Sequence, residues 1–498
     1  MTSTVEKQSD IDLVDPGSPR ASSSKRWWVL ATLCIAQLMV VLDATVVNIA
    51  LPYAQQDLGF GTADRQWVVT GYTLAFGSLL LLGGRLSDMF GRRAVFMIGL
   101  VGFALASAVG GAASSGEQLI GARVAQGVFG ALLAPAALSL LTVTFAGRPE
   151  RTKAFGVYGA IAGAGAAIGL LLGGALTEWA SWRWALYINI VFAAIALVGA
   201  AVLLGRHTAD RKVGLDLSGT VTATAGLFSV VYGFAHAQTD GWSNTVTLAF
   251  LAVGVVLLAA FVVLQTRVEN PLLPLRVVLD RTRGSAYLAV FFLSVGLFAI
   301  FLFLTYYLEQ ILGYSPLHTG VAILPLVVAL VVSATVGSSV FPRIGAKVSV
   351  AGGLLIGAVG LVSLTQIGPH TSYATHVLPG LVLIGFGLGA VMTVSFQAAT
   401  AGIDRDDAGV ASAMVNTSQQ IGGSIGTALL STFAASTASN YLAGRVSTAT
   451  AAAQSQVESY ITTFWWAAGF LAVGAVIVAV LMPHKIPAAT DGEPLLSL

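Results

Sequence analysis

The chain is poor in the residues that most chemistry requires. One cysteine, Cys34, in 498 residues excludes an intramolecular disulfide and any CxxC metal or redox pair. The six histidines are scattered and show no HExxH-like spacing. No GxxxxGKS/T loop is present, so nothing points to ATP-driven work. Charged residues make up only 10% of the chain, against about 25% in soluble domains. A net charge of +2 gives no sign of a nucleic-acid partner. The connecting segments are too short to hold a soluble output domain, which disfavours a receptor or sensor, and no nucleophile or metal constellation suggests an enzyme or a bound cofactor.

What the chain does have is apolar length. Residues of the hydrophobic class make up 56% of it, in repeated runs of 18 or more, each long enough to cross a hydrocarbon layer of roughly 30 Å. The runs do not alternate as barrel strands do. The composition therefore predicts an all-α, multi-pass membrane protein. Breaks between runs give fourteen expected spans, near 27–50, 63–84, 93–113, 117–144, 153–178, 183–204, 216–236, 245–265, 284–308, 319–341, 347–367, 376–401, 409–435 and 461–482. Lys and Arg then set orientation. Almost all of them fall in one set of alternating segments; the opposite set holds only Arg65, Arg183 and Arg445, and Arg123 lies inside a span. With an even count, both termini are expected in the cytoplasm. Residues 1–26 and 484–498 read as polar tails, without a cleavable signal peptide.

A weak internal repeat is visible. GGRLSDMFGRR (83–93) after the second span aligns with GSSVFPRIGAK (337–347) after the tenth, matching Gly83 and Gly91 to Gly337 and Gly345. This implies a six-helix bundle over 27–204, a two-helix insertion over 205–282 and a second six-helix bundle over 283–483. Transporters are often built from such repeats, with their site between them. The inserted pair carries few polar residues and is expected at the periphery.

Within VVLDATVVNIALP (40–52) a single carboxylate, Asp43, interrupts an apolar run. A charge near the bilayer centre costs roughly 2.5–3.5 kcal/mol on insertion scales, so it needs a partner or a wet cavity. Arg123, in LIGARVAQGVFG, is the only intramembrane base and lies at a matching depth. Desolvation and a neighbouring guanidinium pull on such a carboxylate in opposite senses, which suits reversible protonation; a permanent structural ion pair is the alternative. Glu309, near the outer end of the ninth span, is a second candidate acid, with an interfacial position as its alternative. Tyr287, Phe291 and Phe298 fall within roughly 60° on the ninth span, and Asn416, Gln420, Gly423 and Thr427 share a side of the thirteenth. These, with Trp67 and Tyr72, are candidates to line a cavity for flat lipophilic compounds.

LDATVVNIALP, WVVTGYTL (67–74), GGRLSDMFGRR, LIGARVAQG (119–127), SWRWALYIN (181–189), YLEQILGYSP (307–316) and GVASAMVNTSQQIGGSIGTALLS (409–431) together resemble the fourteen-helix drug–proton antiporter branch of the major facilitator superfamily, in order and across residues 27–482. The resemblance implies a monomeric multidrug efflux transporter of the bacterial cytoplasmic membrane that exchanges small lipophilic, in part cationic, substrates for protons by alternating access. A proton-coupled uptake symporter and a dedicated exporter of one endogenous metabolite are the alternatives. It also implies proton coupling at Asp43, modulated by Arg123, and a cytoplasmic gate at Asp88, Arg92 and Arg93. The turn IDRDDAG (403–409) adds expected partners: the helix N-terminus for Asp88, and Asp406 and Asp407 for Arg92 and Arg93. GAIAGAGAAIGLLLGG (159–174) departs from the family pattern, with Leu170 where a proline follows the glycine; Gly165, Gly169 and Gly173 are expected to pack against the other half.

Overall fold

The computed structural model describes residues 23–146, 150–205, 216–403, 407–443 and 449–486. Fourteen long helices run through them: α1 (Ser23–Leu58), α2 (Thr62–Phe90), α3 (Arg92–Gly111), α4 (Gly116–Thr144), α5 (Arg151–Trp179), α6 (Trp184–Leu203), α7 (Leu217–Asp240), α8 (Thr245–Gln265), α9 (Arg281–Ala299), α10 (Pro316–Ile344), α11 (Ala346–Leu364), α12 (Leu378–Ala399), α13 (Ala408–Leu442) and α14 (Ala449–Leu481). Two π-helical turns, Ile300–Leu304 and Tyr307–Ile311, prolong α9, and a third, Tyr373–Val377, leads into α12. Twelve of these helices are long and apolar enough to cross a membrane among the described residues, against the fourteen spans expected. The other two are α5 and α13. Both lie at the seam between the halves, where glycine, alanine and, in α13, Ser, Thr, Asn and Gln replace the large apolar side chains that lipid favours.

The halves repeat each other's packing. In the first, α1 packs on α5 and α6, α2 on α4, and α3 on α4 and α6; in the second, α9 packs on α13 and α14, α10 on α12, and α11 on α12 and α14. The aligned glycines share one conformation. Gly91, between α2 and α3, has φ 91°, and Gly345, between α10 and α11, has φ 85°. Only glycine takes this left-handed geometry without a steric cost, so each closes a tight helix–helix turn at the basic end of the molecule.

The halves meet along two seams: α2 and α4 against α13, and α5 against α10 and α12. The expected role of the α5 glycine stripe is corrected here. A Cβ on Gly165, Gly169 or Gly173 would meet Val41, Thr45 or Val46 of α1, within the same half. The contact with the other half is made from the opposite face, by Gly156 (Ala334 O and Thr393), Gly159 (Met392) and Gly163 (Leu330 and Met392). Residues 163 and 165 point about 200° apart on a helix, so α5 has two small faces and approaches both neighbours closely.

Gly83 shows how tight the packing is within a half: a Cβ there would run into the Ala131 carbonyl oxygen of α4. Gly83→Ala is expected to cost about 1–3 kcal/mol, because backbone rather than a flexible side chain blocks the methyl. A lowered thermal transition of the purified protein in detergent checks it.

Candidate functional site

A polar cluster is buried among the helices of the first half. Asp43 of α1 is 0% exposed and Arg123 of α4 is 1% exposed. They form an ion pair through Arg123 Nη1 and Asp43 Oδ2. Asp43 Oδ1 accepts from Gln126 Nε2 at 2.9 Å and from Asn189 Nδ2 of α6 at 2.7 Å. Both amides also donate to Ser107 Oγ of α3, at 2.7 and 3.3 Å. Arg123 donates further to Gln126 Oε1 (2.9 Å) and, through Nε, to Val68 O of α2 (3.2 Å). The guanidinium lies 4.2 Å from the centre of the Tyr72 ring, which stacks on Phe76. Five helices thus contribute to one buried cluster, and each contact to its carboxylate, from α4 and α6, is a donor. A buried ion pair is tolerated only when its remaining lone pairs and protons are satisfied in this way.

Gln126 and Asn189 carry half of this geometry and are absent from the sequence-derived candidates. Gln126 stands three residues after Arg123, on the same helical face, which was the available signal. The placement also corrects Tyr72: it is 3% exposed and belongs to the Arg123 cluster, not to a cavity wall.

The remaining cavity candidates do not share one surface. Tyr287 is buried and donates to Ala399 O at the C-terminus of α12 (3.1 Å). Phe291 and Phe298 lie against Gly422 and Gly423 of α13. Asn416 turns its amide to Ser412 O of its own helix (3.0 Å), and Gln420 lies against Gly77 of α2, across the seam. Trp67 is exposed, with its ring 6.2 Å from Tyr232 of α7. Angular proximity on a helix does not decide which neighbour a side chain reaches. Glu309 lies, half-buried, in the π-turn Tyr307–Ile311 of α9.

At the basic end, Asp88 of α2 crosses the seam to the N-terminus of α13. Its carboxylate accepts from the Gly409 N–H (3.0 Å) and the Val410 N–H (3.3 Å), and from Arg92 (3.3 Å). Helix N-termini leave such N–H groups free for an anion. The approach needs glycine on both sides: a Cβ on Gly84 would come within 2.6 Å of Gly409 O. The expected pairing of Asp407 with Arg92 or Arg93 is corrected. Asp407 pairs with Arg276, from a one-turn helix (Leu275–Leu279) between α8 and α9. Arg93 instead donates to Ala201 O at the end of α6 (3.0 Å). Asp406 lies outside the described residues, and so does the side chain of Leu170.

A second contact crosses the other seam at the same end. Arg151 at the start of α5 donates to Thr400 O (3.1 Å) and Thr400 Oγ1 (3.0 Å) beyond the end of α12, and Thr152 donates to Gln397 Oε1 (3.1 Å). The α12–α13 turn is thus held by a cation at its incoming C-terminus and an anion at its outgoing N-terminus, each at the helix end its sign suits. Among the described residues no group of His, Cys, Asp and Glu is arranged to hold a metal ion.

The Major Facilitator Superfamily model matches residues 33–427. The chain is 46% identical over 481 residues to the puromycin resistance protein pur8 of Streptomyces alboniger, covering 96% of this chain and 95% of that protein. It is 40% identical over 407 residues to the cephamycin export protein CmcT of Amycolatopsis lactamdurans, covering 81% and 84%. The fold matches that of the human organic anion transporter MFSD10 (TETRAN) with a TM-score of 0.61 at 14% identity, covering 91% of this chain and 99% of that one.

Proposed function

Because the chain belongs to the Major Facilitator Superfamily, a transporter family and not an enzyme family, we propose that it exports small lipophilic antibiotics from the bacterial cytoplasm in exchange for protons. All fourteen helices span the membrane in this reading, with the basic end in the cytoplasm by the distribution of Lys and Arg. Puromycin is the first substrate to test, given the relative that shares 46% of its residues. The observation that carries the reading is Asp43: a carboxylate within a cluster drawn from five helices, neutralised by one guanidinium and held by two neutral amide donors. When α1 shifts against α4, the Arg123 contact weakens, and a proton becomes the available compensation for the buried charge. Because α1 also packs on the glycine face of α5, movement at the α5–α12 seam reaches Asp43 directly.

Asp88 and Arg151 then act as the latches of a closed cytoplasmic gate. Release of the α12–α13 turn opens the path from the cytoplasm. A cation at a partly buried helix C-terminus contributes up to about 2 kcal/mol, so Arg151→Gln is expected to lower the transport rate by roughly 5–30-fold, and Arg151→Lys to recover part of it. Initial rates in vesicles check this.

The test of the function uses purified protein in liposomes with an imposed pH gradient, following puromycin and internal pH together. Coupled, opposite movement of drug and protons is expected. Movement in the same direction would make the protein a symporter, and drug movement indifferent to pH would overturn proton coupling.

A further inference from the structure

The segment between α8 and α9, residues 266–280, is fastened at both ends. At one end, Asp216, the N-cap of α7, accepts from Gly219 N–H (2.7 Å), Ser218 Oγ (2.8 Å), Gln265 Nε2 (2.8 Å) and Leu272 N–H (3.3 Å). Gln265 at the end of α8 in turn accepts from Leu273 N–H (2.8 Å). At the other end, Arg276 pairs with Asp407 at the start of α13. Arg283 donates back to Val277 O (3.0 Å) and Arg276 O (3.0 Å), and across to Ala401 O (3.1 Å) and Gly402 O (3.3 Å).

Between these anchors, Leu272 and Leu273 are buried in a cluster with Leu81 of α2, Ala223 and Leu227 of α7, and Val410 and Ala413 of α13. Leu81 belongs to the first half and Val410 to the second. The two leucines therefore plug the seam beside the contact of Asp88 with Gly409 and Val410. Buried Arg85 of α2 lies in the electrostatic reach of Asp88, Asp407 and Asp216 together, which places the strap acids and the gate acid around one cation. Burial by itself pushes the Asp216 carboxyl up, but its hydrogen bonds outweigh this and hold it below the usual carboxylate range. The stability it lends is present above the ordinary carboxylate pKa and is lost only as pH falls through the lowered value, so the anchor stays fastened at neutral pH.

We propose that this strap is a working part of the cytoplasmic gate: Leu272 and Leu273 seal the seam between α2 and α13, and the Arg276–Asp407 pair ties that seal to α13. The inserted helices α7 and α8 then serve as the strap's mount and not as peripheral packing alone. On gate opening the strap travels with the second half, to which it is joined through α9 and α13, and its leucines leave Leu81. The inference rests on the reading of the basic end as the gate.

The test uses the full chain with Cys34→Ser and a reporter, Thr393→Cys, buried where α12 meets Gly156 of α5. Inside-out vesicles are labelled with a membrane-impermeant maleimide. Slow labelling is expected in the parent, and labelling faster by roughly tenfold with Leu272→Ala plus Leu273→Ala. Arg276→Asp is expected to accelerate labelling as well, and the swap with Asp407→Arg to return it toward the parent. Arg276 is 66% exposed, so its variants test the gate without threatening the fold. Asp88→Asn is the control. Fast labelling in Asp88→Asn with parental rates in all strap variants would overturn the strap and leave the gate reading intact. Parental rates in Asp88→Asn as well would overturn the gate reading, and the strap with it.

Discussion

Asp43→Asn is expected to abolish drug accumulation driven by a pH gradient while drug exchange at equal pH persists. One proton moving through 100 mV and one pH unit supplies about 3.7 kcal/mol, enough to hold a neutral substrate at roughly a 500-fold gradient. That whole factor is at stake if Asp43 carries the proton. The substitution also has a structural cost. It leaves Arg123 buried beside an uncharged side chain and turns an acceptor into a group with its own N–H donors facing Gln126 and Asn189. Breaking a buried ion pair from one side costs about 3–5 kcal/mol. The double variant Asp43→Asn with Arg123→Gln separates the two effects. It is expected to recover thermal stability and remain uncoupled. Recovery of pH-driven accumulation in the double variant would make the pair structural and move the coupling role elsewhere, with Glu309 next to be tested.

Asp88→Asn is expected to lower transport by roughly 10–100-fold through a different route. A hydrogen bond to a charged group contributes about 1.5–3 kcal/mol, and Asp88 accepts two from the backbone of α13 and one from Arg92. Weakening them shifts the protein toward a state open at the basic end. Substrate binding measured from the cytoplasmic side is expected to be kept while turnover falls, because the transporter no longer recloses. Asp88→Glu is expected to fail as well: with Gly84 and Gly409 backbones in contact, a longer side chain has no room to seat both oxygens. Parental turnover in both variants would remove Asp88 from the gate. The two aspartates thus predict distinct failures, one of coupling and one of closure.

The meeting of Asp43 and Arg123 was legible because they were the only deep charges of opposite sign and their depths along two antiparallel runs matched. The docking of Asp88 on the start of α13 was legible because a helix N-terminus attracts a carboxylate that lies close to it. The partner of Asp407 was not, since nothing local marks a proline-flanked PLLPLR segment (271–276) as one that folds back onto α13. The aromatic row of α9 was misplaced for a related reason. Its spacing fixes relative angles, and the identity of the facing helix is set by packing far away in sequence.

The sequence by itself determined the membrane class, the helices, the two-fold repeat, the orientation signal and the buried ion pair. Each follows from local composition or from a pairing that has no competitor. Only the tertiary structure decided which face of α5 meets α1 and which meets the other half, that Tyr72 belongs to the Arg123 cluster, and that the insertion straps the seam between α2 and α13. The physical reason is the solvent. In water, a helix reveals its buried side by an apolar stripe. In lipid, the buried and exposed faces are both apolar, so the choice between them passes to close packing and hydrogen bonds that exist only once the helices have assembled.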